Sequence, residues 1–301
     1  MKRFQIIWCL GLLFCLVLPG IVGSAEDDNA KQALWSEVRP GLSLARFNAD
    51  HKPVEGLEPQ VKNPCLVVLR IDPKAYRFRL LSSSELDTGS RSLKEWAAEY
   101  GLLAAINAGM FWQDQRTSTG YMRNFGHFNQ GRIHPDYNGF LVFNPKKTGL
   151  PPVRIVDRSR RSDWRQVLKQ YASVVQNNRL IGSKRRIAWH QKGDRYSASS
   201  IAEDEKGRIL FILNQKPLSM KEFSRLLLDL PLRIRACIFT EGGQRAGLYL
   251  DTPQLERAWT GVGKNNFWSR RELAPIPNVI GIEPRKRSHS WLKLGIRPSG
   301  P

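Results

Sequence analysis

A serine and a glutamate three residues later occur twice in the chain, each pair directly before apolar residues at helical spacing. The first pair is Ser92 and Glu95, and the second is Ser219 and Glu222. Each pair forms a capping box, in which the serine side chain and the glutamate side chain satisfy backbone groups of the first helical turn. Each helix is followed by a short apolar segment typical of a buried strand. The repetition predicts two helix–strand units.

The second unit is also preceded by an apolar strand. Residues 209–213 end at Asn214, and residues 234–239 lead to Glu241 after the helix. A strand, a crossover helix and a second strand predict parallel pairing with a right-handed connection. The expected fold class is therefore α+β, a single domain with a mixed β-sheet flanked by helices and built from helix–strand–glycine-turn units. In this arrangement Asn107, Asn214 and Glu241 lie on one rim of the sheet.

Other apolar runs predict further strands at residues 42–47, 65–71, 76–81 and 138–144. Asp72, Pro73 and Lys74 separate the second of these runs from the third, and these residue types are typical of turns. The two runs are therefore expected to form a hairpin.

Glu241 stands at the end of a predicted buried strand and directly before Gly242 and Gly243. A carboxylate in this position is costly unless it is solvated, paired or used. The two glycines allow positive φ angles and close approach of a ligand, and ligands of layered α/β proteins lie beyond the carboxyl ends of strands. A functional carboxylate and an ordinary exposed turn residue are both compatible with this short pattern.

The N-terminus has the pattern of a secretory signal peptide. Lys2 and Arg3 precede an apolar run over residues 4–18, and small residues at 23–25 offer a cleavage site. An uncleaved anchor is less favoured because a membrane span needs about 20 apolar residues. We expect a signal peptide over 1–25, an N-terminal arm over 26–63, a main domain over 64–285 and a basic tail over 286–301. The protein is expected to be exported, either periplasmic or secreted.

The formal net charge of the chain is +20. A strongly basic protein favours polyanionic partners, which for an exported protein means anionic glycans or an anionic envelope surface and not nucleic acid. Beyond the predicted signal peptide the chain has two cysteines, Cys65 and Cys237. Two thiols are the preferred interpretation, and a disulfide is permitted. No cofactor is expected, no zinc motif is present, and a requirement for a divalent metal stays open.

Several motifs together resemble the phosphodiester glycosidase family, in the order in which that family has them. The motifs are Asn107-Ala108-Gly109-Met110-Phe111, Ser118-Thr119-Gly120-Tyr121 with Gly126, Asn138-Gly139-Phe140 with Pro145, Gln176-Asn177-Asn178-Arg179-Leu180-Ile181, and Glu241-Gly242-Gly243. The likeness covers roughly residues 65–284. It implies an exported hydrolase that cleaves a sugar-1-phosphodiester in an envelope glycan or glycopolymer.

Two positions depart from the family pattern. Glu241 stands where the family usually has aspartate. The family often has an arginine before a small-residue strand, and residues 198–202 have none in that place, with Arg195 only nearby. A missing phosphate-binding arginine would remove a bidentate contact with an anion.

The resemblance assigns roles to particular residues. Hydrolysis at C1 of the sugar needs an activated water and a stabilised leaving phosphate, and Glu241 and Asn107 are the expected catalytic residues. The expected substrate-binding residues are Gly109, Gln176, Asn214, Gly242, Gly243, Arg123 and His127. Asp114 is a candidate second carboxylate, and Trp112, Trp259 and Trp268 are candidates for stacking on a sugar.

The alternative interpretation is a protein with the same fold but no catalytic activity. If the two departures mark a lost active site, the protein is a non-catalytic periplasmic protein that binds anionic polysaccharide or takes part in its assembly. A Glu241 substitution separates these interpretations, because only an enzyme has turnover to lose.

Overall fold

The computed structural model describes residues 34–54, 56, 65–189, 193–262 and 274–285. The predicted signal peptide, the basic tail and Trp268 lie outside the described residues, as does part of the predicted N-terminal arm.

Strands dominate the part of the chain that the structure describes. The strands are β1 (Ser36–Arg39), β2 (Leu42–Phe47), β3 (Leu66–Ile71), β4 (Tyr76–Ser82), β5 (Ala104–Asn107), β6 (Met122–Asn124), β7 (His127–Gln130), β8 (Gly139–Pro145), β9 (Val153–Asp157), β10 (Tyr171–Asn177), β11 (Arg179–Gly182), β12 (Arg186–Ile187), β13 (Tyr196–Asp204), β14 (Ile209–Leu218), β15 (Ile234–Gly242), β16 (Gly247–Thr252), β17 (Leu255–Thr260) and β18 (Asn278–Pro284). The α-helices are α1 (Ser83–Leu86), α2 (Leu93–Tyr100), α3 (Trp164–Lys169) and α4 (Met220–Asp229). Short 3-10 segments cover Arg158–Arg160, Ser183–Arg185 and Gly243–Arg245.

These strands form three sheets in which neighbouring strands run antiparallel. Sheet 1 has the order β1-β2-β3-β14-β13-β15-β11-β12, sheet 2 has β7-β6-β10-β8-β9, and sheet 3 has β17-β16-β5-β18-β4. All pairings within them are antiparallel. The inner faces share one apolar core, to which all three sheets contribute buried side chains, for example Phe211, Phe143 and Ile106.

One short helix packs on the outer face of each sheet. Helix α4 covers sheet 1 with Phe223 and Leu227, and α2 covers sheet 3 with Trp96. Helix α3 covers sheet 2, where its Trp164 ring stacks on Phe140 at 5.3 Å between ring centroids. No helix in the described ranges is long and apolar enough to span a membrane.

The predicted fold class is wrong, because the protein is mostly β with antiparallel sheets and not a mixed sheet flanked by helices. The error lies in the unit β14–α4–β15. Strands β14 and β15 do run in the same direction, but β13 lies between them and pairs antiparallel with both. A tight turn at Gly207, with φ +77°, joins β13 to β14 as a hairpin. The crossover helix then carries the chain to the other side of β13.

The predicted hairpin around Pro73 is also wrong. Strand β3 pairs with β2 and β14 in sheet 1, whereas β4 pairs with β18 in sheet 3. The turn at residues 72–75 therefore carries the chain from one sheet to another, and alternate apolar side chains of both strands face the shared core.

The local predictions fare better. Both capping boxes are confirmed, with Ser92 and Ser219 capping α2 and α4. Cys65 and Cys237 are free thiols. Cys237 is fully buried, and this burial raises the pKa of its thiol to about 12.

Candidate active site

Glu241 lies at the end of β15, where the strand departs from regular pairing. Its neighbour across the ladder is Ser199 of β13, and the register shifts between Ser199 and Ser200, so that Thr240 forms a bulge. Such bulges redirect side chains near functional sites. The Glu241 side chain is only 9% exposed, and its Oε1 accepts a hydrogen bond from the backbone N–H of Gly242 at 2.9 Å.

Burial raises the pKa of Glu241 from 4.5 to about 7, against the opposing effects of the Gly242 N–H and the Arg245 charge. Desolvation disfavours the charged form of a carboxyl group, which is the cause of this direction. A carboxyl group with a pKa near neutrality gives up and takes up a proton readily at physiological pH. The pKa and the geometry together make Glu241 the strongest candidate for proton transfer among the described residues.

This raised pKa of Glu241 predicts a pH-dependent contribution to stability. Below pH 4.5 the carboxyl is protonated in both states, and between pH 4.5 and about 7 only the folded protein holds the proton. The stabilisation is therefore complete below the unfolded pKa and is lost as the pH rises through the folded pKa. We expect the free energy of unfolding of the wild type, relative to Glu241→Gln, to fall by about 3 kcal/mol between pH 4.5 and 8.

Urea unfolding of both proteins at several pH values measures this difference. The glutamine variant has no titrating group at the position, so other pH effects cancel in the comparison. A difference that stays constant across the range would mean that the Glu241 pKa is not raised in the folded protein.

Asn107, at the end of β5, is almost completely buried and holds the turn that follows Glu241. Its Oδ1 accepts hydrogen bonds from Ser199 Oγ at 3.0 Å and from the Gly247 N–H at 2.9 Å. Its Nδ2 donates to the Arg245 carbonyl at 2.9 Å. These three contacts fix the backbone of the turn, so the structure gives Asn107 a positioning role beside the carboxyl group.

Gly109 lies two residues further along, against a second buried asparagine. A Cβ atom at Gly109 would lie 2.7 Å from Asn177 Oδ1, a distance that real Cβ atoms do not adopt. Asn177 cannot retreat easily, because its Nδ2 donates to the Ala108 carbonyl at 2.8 Å. The Asn-Ala-Gly motif thus requires glycine for close packing at this point.

Gln176 uses all of its hydrogen-bonding capacity within the protein. Its Oε1 accepts from the N–H groups of Tyr121 at 3.0 Å and His134 at 2.8 Å. Its Nε2 donates to the carbonyls of His134 at 2.9 Å and Tyr137 at 2.7 Å. The side chain is fully buried, so Gln176 latches the loop that carries Tyr137 and offers no free group to a substrate.

Asn214 and Gly242 are level with each other in sheet 1, because both pair with Ala198 of β13. Asn214 and Glu241 therefore lie at one level of sheet 1, with β13 between them. The predicted single rim is wrong for Asn107, which ends β5 of sheet 3 and reaches sheet 1 through its side-chain contact with Ser199. Asn214 Nδ2 donates to the Lys216 carbonyl at 2.6 Å, while its buried Oδ1 has no partner among the described residues.

Arg123 and His127 lie in β6 and β7 of sheet 2, and their side chains contact residues of α3 and α1, respectively. Arg123 Nη2 donates to the carbonyls of Leu168 at 3.1 Å and Tyr171 at 2.6 Å, near the end of α3. His127 Nε2 contacts Ser84 Oγ at 2.9 Å. The structure does not bring either side chain to Glu241.

Three residues beside Glu241 escaped the sequence analysis. Tyr137 and Tyr196 are near enough for the Glu241 charge to contribute to raising the pKa of each phenol, although burial is the larger cause. Arg245 is exposed, and its guanidinium lies 4.8 Å from the ring centroid of Phe111. Proximity in sequence could have identified Arg245, because it follows Glu241 by four residues. Tyr137 and Tyr196 are distant in sequence from Glu241, and no local pattern links them to it.

The remaining candidates lie elsewhere or serve other roles. Asp114 caps a loop through the N–H groups of Arg116 and Thr117. A hydrogen bond with the Thr117 side chain, followed by these backbone bonds, lowers the pKa of Asp114. Trp112 is 54% exposed, whereas Trp259 is buried in the shared core. Arg195 forms an ion pair with Glu222 at 2.5 Å. Among the described residues, no three His, Cys, Asp or Glu side chains are placed to hold a metal ion.

The arrangement of sheets is shared with solved structures. The catalytic domain of zebrafish N-acetylglucosamine-1-phosphodiester alpha-N-acetylglucosaminidase, auto-inhibited by its pro-peptide, matches with a TM-score of 0.55 and 11% identity, over 83% of this chain and 86% of that one. A hypothetical protein from Synechocystis matches with a TM-score of 0.51 and 14% identity, over 82% of this chain and 62% of that one. At these identities the likeness establishes the fold alone.

Sequence comparison defines the family. The family model described as phosphodiester glycosidase matches residues 100–283, more than half of the chain. The protein therefore belongs to the phosphodiester glycosidase family, and the resemblance stated from the motifs is confirmed. A search of curated protein sequences found no match.

Proposed function

We propose that the protein is a hydrolase that cleaves a sugar-1-phosphodiester between C1 of the sugar and the phosphate oxygen. The observation that carries this proposal is the buried Glu241 carboxyl, whose pKa is about 7, next to an exposed cation at Arg245. Membership of the phosphodiester glycosidase family supports the reaction class.

In the proposed reaction Glu241 is the general base. It takes a proton from a water molecule, the water oxygen forms a bond with C1, and the bond from C1 to the phosphate oxygen breaks. The phosphomonoester leaves with the electron pair of that bond. Phosphate is a good leaving group, so one carboxylate with a cation near the leaving oxygens supplies what the step requires.

Arg245 is the proposed cation. A guanidinium presents a planar set of donors that suits phosphate, and this one is exposed while its ring contact with Phe111 limits its motion. Asn107 donates to the Arg245 carbonyl, so it fixes the backbone from which the guanidinium extends. Arg245 thereby offers a substitute for the arginine that the chain lacks before residues 198–202.

The proposed substrate is a sugar phosphodiester in an envelope glycan or glycopolymer, and the proposed site of action is outside the cytoplasm. The apolar run over residues 4–18 supports export. The net charge of +20 supports an anionic substrate.

Incubation of the purified protein with a panel of sugar-1-phosphodiesters tests the proposal. We expect equal amounts of free reducing sugar and phosphomonoester from at least one member of the panel. Binding of an anionic glycan without release of either product from any substrate would favour the non-catalytic alternative.

A further inference from the structure

A second cavity lies away from Glu241, and cations dominate its lining. It has a volume of about 870 Å³ and is lined by Lys74, Arg77, Lys146 and Arg285, with Phe125 and Asn144. No carboxylate belongs to the lining that the structure describes. We call this cavity the basic cleft. A concave site lined by one sign of charge concentrates the field and attracts ions of the opposite sign.

The four cations of the basic cleft are largely available. Neither Lys74 nor Lys146 has an ion pair with any described residue, and the Arg285 side chain donates one hydrogen bond to a described residue, from Nε to the Pro73 carbonyl at 3.2 Å. Arg77 is 3.6 Å from Glu283, a carboxylate outside the lining, and its side chain is 53% exposed. The protein therefore brings four positive charges together with little compensation, which is costly unless an anion binds there.

An exposed aromatic ring lies at the edge of the basic cleft. Phe125 is the first residue of the two-residue turn between β6 and β7, in which Asn124 pairs with His127, and its φ of +48° is typical of such a hairpin turn. Phe125 is 56% exposed, and an apolar ring face suits a sugar ring.

The basic cleft and the candidate active site lie at opposite ends of β10. Ala172 lines the cleft at the beginning of the strand, and Gln176 holds the Tyr137 loop beside Glu241 near its end. Ala172 and Gln176 are four residues apart, which corresponds to roughly 13 Å along the strand. The cleft is therefore a separate site that a chain-like ligand could occupy together with the active site.

We propose that the basic cleft is a non-catalytic binding site for the phosphate groups of an anionic glycan chain. Its concave shape and exposed aromatic ring favour a glycan over a membrane surface, which needs a flat or protruding basic face. Binding in the cleft does not depend on catalysis. A second consequence, that the cleft retains a polymeric substrate during hydrolysis, rests on the proposed function.

The binding test uses the full protein with Glu241→Gln, so that no probe is consumed. The probe is a fluorescently labelled oligomer of sugars joined by phosphodiester links, titrated at low salt. The variant Lys74→Gln/Lys146→Gln removes two charges of the cleft, and Lys221→Gln/Arg225→Gln removes two exposed charges from α4 as the matched control. We expect the affinity to fall about tenfold or more in the first and less than twofold in the second.

Two further probes decide between ligand classes. A neutral oligosaccharide of the same length should bind weakly to every variant, and phosphatidylglycerol vesicles should bind the two charge variants equally. Equal loss of oligomer binding in both variants would overturn the proposal, since only net charge would then matter. Vesicle binding that depends on Lys74 and Lys146 more than oligomer binding does would assign the cleft to a membrane instead.

Hydrolysis separates this proposal from the proposed function. With the wild-type Glu241 restored, Lys74→Gln/Lys146→Gln should raise KM for the polymer and leave turnover of a monomeric sugar-1-phosphodiester unchanged. If the protein binds the oligomer through the cleft but hydrolyses nothing, the cleft proposal stands and the proposed hydrolase function is wrong. If the protein hydrolyses the substrate but the cleft variant binds the oligomer as tightly as the control, the hydrolase function stands and the cleft proposal is wrong.

Discussion

Replacing Glu241 by glutamine is expected to lower the turnover of a sugar-1-phosphodiester by about 10²–10⁴-fold, the usual contribution of a positioned group that transfers a proton. The amide is nearly isosteric with the carboxyl and retains an oxygen for the Gly242 N–H, which Glu241 now binds at 2.9 Å. The fold should therefore persist while the base is lost. Steady-state kinetics of both proteins, with thermal melts alongside, measure the effect.

Two other variants control this experiment. Glu99→Gln makes the same chemical change on the exposed face of α2 and should leave turnover unchanged. Glu241→Asp restores the residue usual in the family and should retain part of the activity. Undiminished turnover in a well-folded Glu241→Gln protein would remove this carboxyl from the mechanism.

The pH profile of the wild type carries the same prediction. A general base must be deprotonated, and the Glu241 pKa is about 7. We therefore expect kcat/KM to fall as the pH drops through about 7, and the Glu241→Gln protein to lack this limb. A wild-type profile that falls instead as the pH rises through 7 would make Glu241 an acid.

Replacing Gln176 by alanine is expected to cost about 3–5 kcal/mol of stability, because buried groups that lose their partners pay the full desolvation penalty. Four backbone groups of Tyr121, His134 and Tyr137 would lose their partner. The Tyr137 loop would also lose its latch, so turnover should fall together with the melting temperature. Urea unfolding and kinetics on the same preparation measure both quantities.

The control for this change is Gln166→Ala on the exposed side of α3, which should alter stability by less than about 0.5 kcal/mol. Gln176→Glu retains two acceptors but loses both donors, so we expect an intermediate loss. A Gln176→Ala protein as stable as the wild type would show that the four hydrogen bonds of Gln176 do not stabilise the fold.

The local sequence patterns located strands and helix caps correctly because these features depend on nearby residues. Residues 209–213 and 234–239 are strands, and Ser219 caps the helix between them. Which strands pair depends on residues distant in sequence. Strand β13 is polar and rich in small residues, so nothing in its pattern indicated that it would lie at the centre of sheet 1 between β14 and β15.

The sequence named Glu241 and Asn107, which the structure places close together through Ser199, but it did not reveal the contacts that the named side chains make. Asn107 and Gln176 are long-range clamps whose partners, such as Gly247 and Tyr137, lie far away in the chain. An amide in a motif gives no sign of whether it faces a ligand or the protein. Arg245 was overlooked because the family motif ends at Gly243, two residues before it.

Hydrolysis in oxygen-18-labelled water identifies the bond that the protein breaks. If water attacks C1 of the sugar, the phosphomonoester leaves with its original oxygens, and its mass spectrum should show no incorporated label. Chemical hydrolysis at phosphorus supplies the labelled reference. Label in the phosphomonoester released by the wild-type protein would rule out attack at C1, because the enzyme would then cleave the bond to phosphorus and would not act as a glycosidase.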